Sequence, residues 1–249
     1  MSTERVGLER QLRRQSLWLK ESWIWLLKDE VLRGAEVGEK RPSALDVGCG
    51  PGFVMEALSG LFDVKGVDID GDMLNACRSR GLDVVQADAC ELPFEDASFD
   101  VVYCSFLLLW LKDPHPALEE MRRVSKEWVI CLAEPDYGGR IDFPHDLSDL
   151  TRLIIEGIEN EGGDPFVGRR MRSFFRECGL EAKIGIHPGV WDLERLRLES
   201  IDEWRWVEQT VGQGVDDLRL GRLKGVWERA LDAGTLFQFN PVFYAIARK

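Results

Sequence analysis

Cations are in short supply in this sequence. Lys and Arg total 32 against 44 Asp and Glu, a formal net charge of −12. A broad phosphate-binding face is therefore not expected, because nucleic-acid affinity rests on Lys and Arg neutralising phosphates. An anionic membrane surface is an equally poor partner. Long apolar runs are missing too. The stretch Phe106 to Leu111 falls well short of the ~20 residues that cross a bilayer. The amino terminus is charged and carries no apolar export segment. The six cysteines form no CxxC pair, and His115, His145 and His187 lie far apart. Neither a disulfide framework nor a metal signature results, so no metal is expected. The chain contains no internal repeat or low-complexity tract. A cytoplasmic protein with reduced thiols fits these absences, and 249 residues suffice for one sizeable core with a helical cap.

What the sequence does contain is a rhythm. Leu8, Leu12, Leu19, Trp23, Leu27 and Val31 recur at helical spacing, broadened by Trp18 and Trp25, with Gly34 as the stop. That face packs on the core and could also cover a site. A loop follows over 35–42. Strands are then predicted at Ser43–Gly48, Val64–Ile69, Asp83–Ala87, Phe99–Ser105 and Trp128–Ala133. Helices alternate with them at Phe53–Leu58, after Asp70, and at Pro114–Val124. This alternation predicts an α/β fold, a parallel sheet with helices on both faces. Beyond it come a helix bearing Leu147, Leu150, Ile154 and Ile158, and another bearing Met171, Phe174 and Phe175 that ends near Gly179. Leu180–Ile186 reads as a sixth strand. Residues 192–233 are helical with a break at Gly212–Gly214, and Leu236–Ala247 reads as one last strand.

The loop Asp46-Val47-Gly48-Cys49-Gly50-Pro51-Gly52 leaves the first strand and enters a helix. Glycines permit close backbone approach there, and the helix terminus offers free amides. The spacing is G-x-G-x-G, neither the dinucleotide G-x-G-x-x-G nor a P-loop, since no Gly-Lys-Ser or Gly-Lys-Thr follows. Pro51 removes one amide donor, which suits an organic cofactor better than a phosphate. Alone, the loop would serve several nucleotides or a plain turn. Asp68 and Asp88 sharpen it. They close the second and third strands, where open parallel sheets bind ligands. One carboxylate there can take both ribose hydroxyls, the other an adenine amino group.

Ala44–Leu58, Val64–Leu74 and Val84–Phe94 together resemble the cofactor segments of the class I, or Rossmann-like, S-adenosylmethionine-dependent methyltransferases. Phe99–Val124 resembles their fourth-strand region, and the flavour is that of the ubiquinone and menaquinone biosynthesis branch. The resemblance implies S-adenosylmethionine as cofactor and a seven-stranded sheet in the order 3-2-1-4-5-7-6, the final strand antiparallel. It gives roles to Asp46, Gly48, Gly50 and Gly52 in the loop. Asp68 would hold the ribose, Ile69 would pack on adenine, and Asp88 with the Ala89 amide would read the adenine edge. Ser105 and Phe106 would approach the methionine portion. Two departures stand out: Ser125-Lys126-Glu127-Trp128 replaces a glycine-rich turn, and the stretch 188–235 is long.

These readings make 1–249 a single methyltransferase domain. It has an amino-terminal helical extension over 1–34, a cofactor half over 43–134, and cap or substrate-side segments over 137–178 and 188–235. On the acceptor side, Glu134, Asp136 and Tyr137 follow the fifth strand and are the candidate catalytic groups. Phe106–Trp110 could line an acceptor pocket, and Trp204 and Trp206 could add an aromatic lid. The leading expectation is in-line methyl transfer to a small organic or partly apolar acceptor. Methylation of a protein or RNA and a non-catalytic cofactor-binding role remain the alternatives. Nucleic acid is disfavoured by the charge and by the lack of an Asn-Pro-Pro-Tyr motif. A homodimer is compatible with the added helices.

Overall fold

The computed structural model describes residues 3–33, 41–212 and 215–249, with side chains of the first helix from residue 7. Its first helix, α1, is Thr3–Glu30. The expected stop at Gly34, most of the 35–42 loop and two residues of the 212–214 break lie outside the described residues.

The strand-helix rhythm folds as read. In chain order come β1 (Ser43–Val47), α2 (Phe53–Leu58), β2 (Asp63–Asp68), α3 (Gly71–Ser79), β3 (Asp83–Gln86), β4 (Phe99–Ser105), α4 (His115–Val124) and β5 (Ser125–Pro135). Asp70 caps α3 by accepting from the Asp72 and Met73 amides, as a short side-chain acceptor at a helix start should. After β5 come β6 (Ile141–Phe143), α5 (Ser148–Asn160), α6 (Val167–Glu177), β7 (Ala182–Ile186), α7 (Leu193–Val211), α8 (Asp217–Asp232), β8 (Phe237–Phe239) and β9 (Val242–Arg248). The main sheet runs β3-β2-β1-β4-β5-β9-β7, with β9 antiparallel to both its neighbours. Counting only its own strands, that is the 3-2-1-4-5-7-6 order.

Alternation along the strands sends side chains to two cores. Val102, Cys104, Val129 and Cys131 meet α4 and α6 on one face. Val101, Tyr103, Ile130 and Leu132 meet α1 on the other, through Leu19, Trp23, Leu26 and Leu27. A separate apolar cluster joins α5, α7 and α8 into a cap. The stretch 137–178 is thus divided: α5 belongs to the cap cluster, whereas Val167, Met171, Phe174 and Phe175 of α6 pack on the sheet.

Three readings need correction. Ser125-Lys126-Glu127-Trp128 is no turn, because β5 starts at Ser125 directly from α4. Ser125 is buried and its hydroxyl donates to the Trp128 carbonyl, which lets the chain change direction without glycine. The expected last strand is two strands. Asn240-Pro241 separates them, and β8 leaves the main sheet to pair with β6. Trp25, finally, does not broaden the packed face of α1; it is 64% exposed.

Candidate functional site

The glycine loop sits at the carboxyl tips of the central strands. Gly48, Gly50 and Gly52 all hold positive φ, the left-handed region in which a side chain would be strained. Two of them also lack room: a Cβ at Gly48 would come within 2.8 Å of the Leu107 side chain, and one at Gly52 within 2.4 Å of Leu82. Gly50 differs. A Cβ there would meet only Leu12 of α1, at 3.9 Å, so its backbone faces comparatively open space. The amides of Gly48 and Cys49 both donate to the Val67 carbonyl, tying the loop to β2.

Asp68, at the end of β2, accepts from the Gly50 amide at 2.7 Å and from the Asp70 amide at 2.9 Å, one on each oxygen. Each carboxylate oxygen retains capacity for a second donor. Beside it, Ile69 is 68% exposed, an apolar side chain at a strand tip with little covering it. Asp88 lies just past β3, exposed, and accepts from the Cys90 amide; Ala89 follows half-buried. Because β2 and β3 are neighbours in the sheet, the two aspartates occupy adjacent strand tips. Asp46 is buried at the end of β1, with Oδ2 lacking a hydrogen-bond partner. Burial pushes its carboxyl well above the usual carboxylate range. Ser105 Oγ, at the end of β4, is likewise buried without a partner. Phe106 follows in the left-handed region, φ 54°. These orphaned acceptors, the crowded glycines and the open Gly50 face fit a nucleoside with a polar amino-acid tail.

The three acceptor-side candidates separate. Glu134 is fully buried and accepts from the backbone amides of Leu107, Leu108 and Leu109 at 2.9, 2.8 and 3.3 Å. It holds the short helical turn Leu108–Trp110 under the site, and burial raises its carboxyl to about 8. Asp136 is also buried and grips the Arg169 guanidinium with both oxygens, at 2.5 and 2.7 Å. Both of its oxygens are thus bonded to Arg169. Tyr137 alone of the three lines a cavity. Burial raises its phenol further above its ordinary value, so it is a poor base at neutral pH.

That cavity, about 210 Å³, lies between α1, the turn after β4, and the cap. Leu8, Leu12, Phe106, Leu109 and Trp110 supply its apolar wall. Trp206 of α7 stacks toward Tyr137, ring centroids 6.2 Å apart at 23°. A narrower chamber of about 30 Å³ continues from it past Gln15, Trp18, Trp191 and Asn240, sharing Phe106 and Tyr137. The expected tryptophan lid is therefore half present. Trp206 faces the cavity, whereas Trp204 packs edge-on against Trp227 inside the cap. Gln11, Gln15 and Asn240 were missed from the sequence. Glutamines on an amphipathic helix carry no signal there, and Asn240 reads simply as a turn residue before Pro241.

Residues 45–132 match the model of a methyltransferase domain. The chain is 38% identical to the demethylmenaquinone methyltransferase of Staphylococcus aureus over 104 residues, 37% of this chain and 43% of that one. It is 29% identical to the demethylmenaquinone methyltransferase of Bacillus pumilus over 195 residues, 68% of this chain and 82% of that one. The chain is thus similar to the class I S-adenosylmethionine-dependent methyltransferases. The fold agrees: a Bacillus halodurans protein superposes with a TM-score of 0.61 at 18% identity, covering 92% of this chain and 99% of the other. The Haemonchus contortus phosphoethanolamine N-methyltransferase 2, solved with S-adenosyl-L-methionine, superposes at 0.54 with 17% identity, covering 92% of this chain and 52% of that one. The chain spans less than half, 43%, of the length of several of the curated relatives it matches. Among the described residues no helix is long and apolar enough to cross a membrane.

Proposed function

We propose that this methyltransferase moves the methyl group of S-adenosylmethionine onto a small, partly apolar organic acceptor held in the cavity beneath α1. One observation carries the reading. Phe106, at the tip of β4 and next to the Leu107 side chain that crowds Gly48, is also a wall of the cavity. The glycine loop and the cavity thus meet at the adjacent residues Leu107 and Phe106, and at Leu12, which lines the cavity and would lie 3.9 Å from a Cβ at Gly50. The cofactor brings an electrophilic methyl group on a positively charged sulfonium.

The protein's own contribution is position and dryness. Asp68 would receive the ribose hydroxyls, Ile69 would cover one adenine face, and Asp88 with the Ala89 amide would meet the adenine edge. Asp46, Ser105 and the Gly48–Gly50 backbone would take the methionine portion, with Gly52 turning the chain into α2. Phe106, Tyr137 and Trp206 would hold the acceptor in line and keep water out. Glu134 and Asp136 act by holding the Leu107–Trp110 turn and Arg169, while Tyr137 touches the acceptor. With those carboxylates engaged, the acceptor must arrive nucleophilic or shed its proton to solvent.

The test is binding followed by transfer. Calorimetry should show S-adenosylmethionine binding saturably and NAD not competing. Asp68→Ala should weaken cofactor binding roughly tenfold or more, since a charge-assisted bond is worth about 1.5–3 kcal/mol. Labelled methyl donor in fractionated extract should deliver label to small molecules. Preferred NAD binding, or label confined to protein or RNA, would overturn the proposal.

A further inference from the structure

Two buried carbonyl acceptors face the acceptor cavity region without partners. Gln15 Oε1 and Asn240 Oδ1 have no hydrogen bond, and both residues line the narrow chamber behind Phe106. They come from two separate elements, one from α1 and one from the turn between β8 and β9. A buried acceptor left unpaired is costly, so such a pair is stabilised by whatever donor enters. The charged groups around the chamber are already matched. The Arg14 guanidinium is held by Glu199 at 2.9 Å and Glu203 at 2.8 Å. Arg140 is held by both oxygens of Asp142, at 2.8 and 3.1 Å. Among the described lining residues, no buried cation is left over for an anionic acceptor. Glu203 is spent on Arg14, which leaves no buried carboxylate for a cationic one. Glu161 lines the wider part but is solvent-exposed. The rest of the chamber is mainly aromatic, through Trp18, Phe106, Tyr137, Trp191 and Trp206, with Gln11 and Val242 beside them.

From this arrangement we infer that Gln15 and Asn240 determine specificity. They select an uncharged, flat acceptor that donates hydrogen bonds, a hydroxyl or amino group on an aromatic body. The inference rests on the methyl-transfer reading of the same cavity. It goes further by excluding carboxylates as acceptors. The carbonyls would fix which edge of the ring turns away from the methyl group, leaving the opposite edge toward Phe106.

The test uses the full chain with S-adenosylhomocysteine bound and three probes of one shape: naphthol, methoxynaphthalene and naphthoate. Naphthol should bind about tenfold tighter than methoxynaphthalene, the gain of one hydrogen bond to an otherwise unpaired buried acceptor, with naphthoate weakest. Gln15→Leu should bring naphthol and methoxynaphthalene close to parity while S-adenosylhomocysteine affinity, read by calorimetry, stays unchanged. Asn240→Asp, which keeps a carbonyl acceptor, should retain more of the preference than Asn240→Leu. Should the Asn240→Leu protein fail to fold, Gln15→Leu decides alone, since leucine suits a helix at least as well as glutamine. Naphthoate binding as tightly as naphthol, or naphthol failing to bind the loaded protein, overturns this inference and leaves methyl transfer standing. Absence of S-adenosylhomocysteine binding overturns methyl transfer itself, and the inference with it.

Discussion

Glu134 and Asp136 show how little a residue type says about its task. Both are acidic, both follow β5, and both are consumed by neighbours that the sequence places far away. Glu134→Ala would leave three buried amides without an acceptor and should cost roughly 3 kcal/mol of stability. Glu134→Gln keeps one carbonyl oxygen for Leu107 and Leu108 and should cost less than half of that. Urea denaturation of the two variants checks the order. The histidines give a pH signature. Hydrogen bonding to Asp113, opposed by burial and aided by Glu177, raises His115 above its ordinary value near 6.5. Its stabilising contribution is fully present below 6.5 and is lost as pH rises through the higher folded value. Burial lowers His187, which sits between the Ser22 hydroxyl and the Leu132 carbonyl. Its contribution is full above 6.5 and is lost as pH falls through the lower folded value. Imidazole NMR should find His115 titrating well above His187, and the reverse order would refute both assignments.

Between elements, α5 and α7 approach each other closely at a glycine. A Cβ at Gly157 of α5 would come within 1.9 Å of the Thr210 carbonyl oxygen, a backbone atom that cannot swing away. Alanine is the better helix former by about 1 kcal/mol. Overpacking of 1–3 kcal/mol or more should still outweigh that gain. Gly157→Ala is therefore expected to destabilise the cap by about 1–2 kcal/mol net and to weaken acceptor binding, because Thr210 and Trp206 of α7 line the cavity. A melting temperature at or above the parent's would show that the helices can part without loss. The glycine was visible in the sequence. Its role was not, because a glycine inside a helix has the same local pattern whether it meets solvent or another backbone.

At the scale of the whole molecule, α1 joins sheet, glycine loop and cap. Its apolar side reaches the sheet through Trp23 and Leu27, while Ser16 donates to the Phe53 carbonyl at the start of α2. Toward the cap, Arg14 binds Glu199 and Glu203 of α7, with its side chain only 8% exposed. Removing one member of a largely buried pair strands the other. Arg14→Met should cost roughly 3 kcal/mol, and adding Glu203→Met should recover part of it. A denaturation double-mutant cycle with no recovery would mean the pair does not act as a unit. The same variant should lose more acceptor affinity than cofactor affinity, since Arg14 lines the chamber.

Local pattern alone determined the strand-helix rhythm, the glycine bend and the two acidic strand tips. Periodicity and backbone freedom depend on neighbours a few residues apart, and those are written in order along the chain. Tertiary structure decided the cavity. Gln15, Tyr137, Trp206 and Asn240 come from four separate segments, and a side chain's surroundings there depend on which segments the sheet and cap bring together. The same packing gave Glu134 the Leu107–Leu109 amides and Asp136 the Arg169 guanidinium as partners, and it divided the final segment between two sheets.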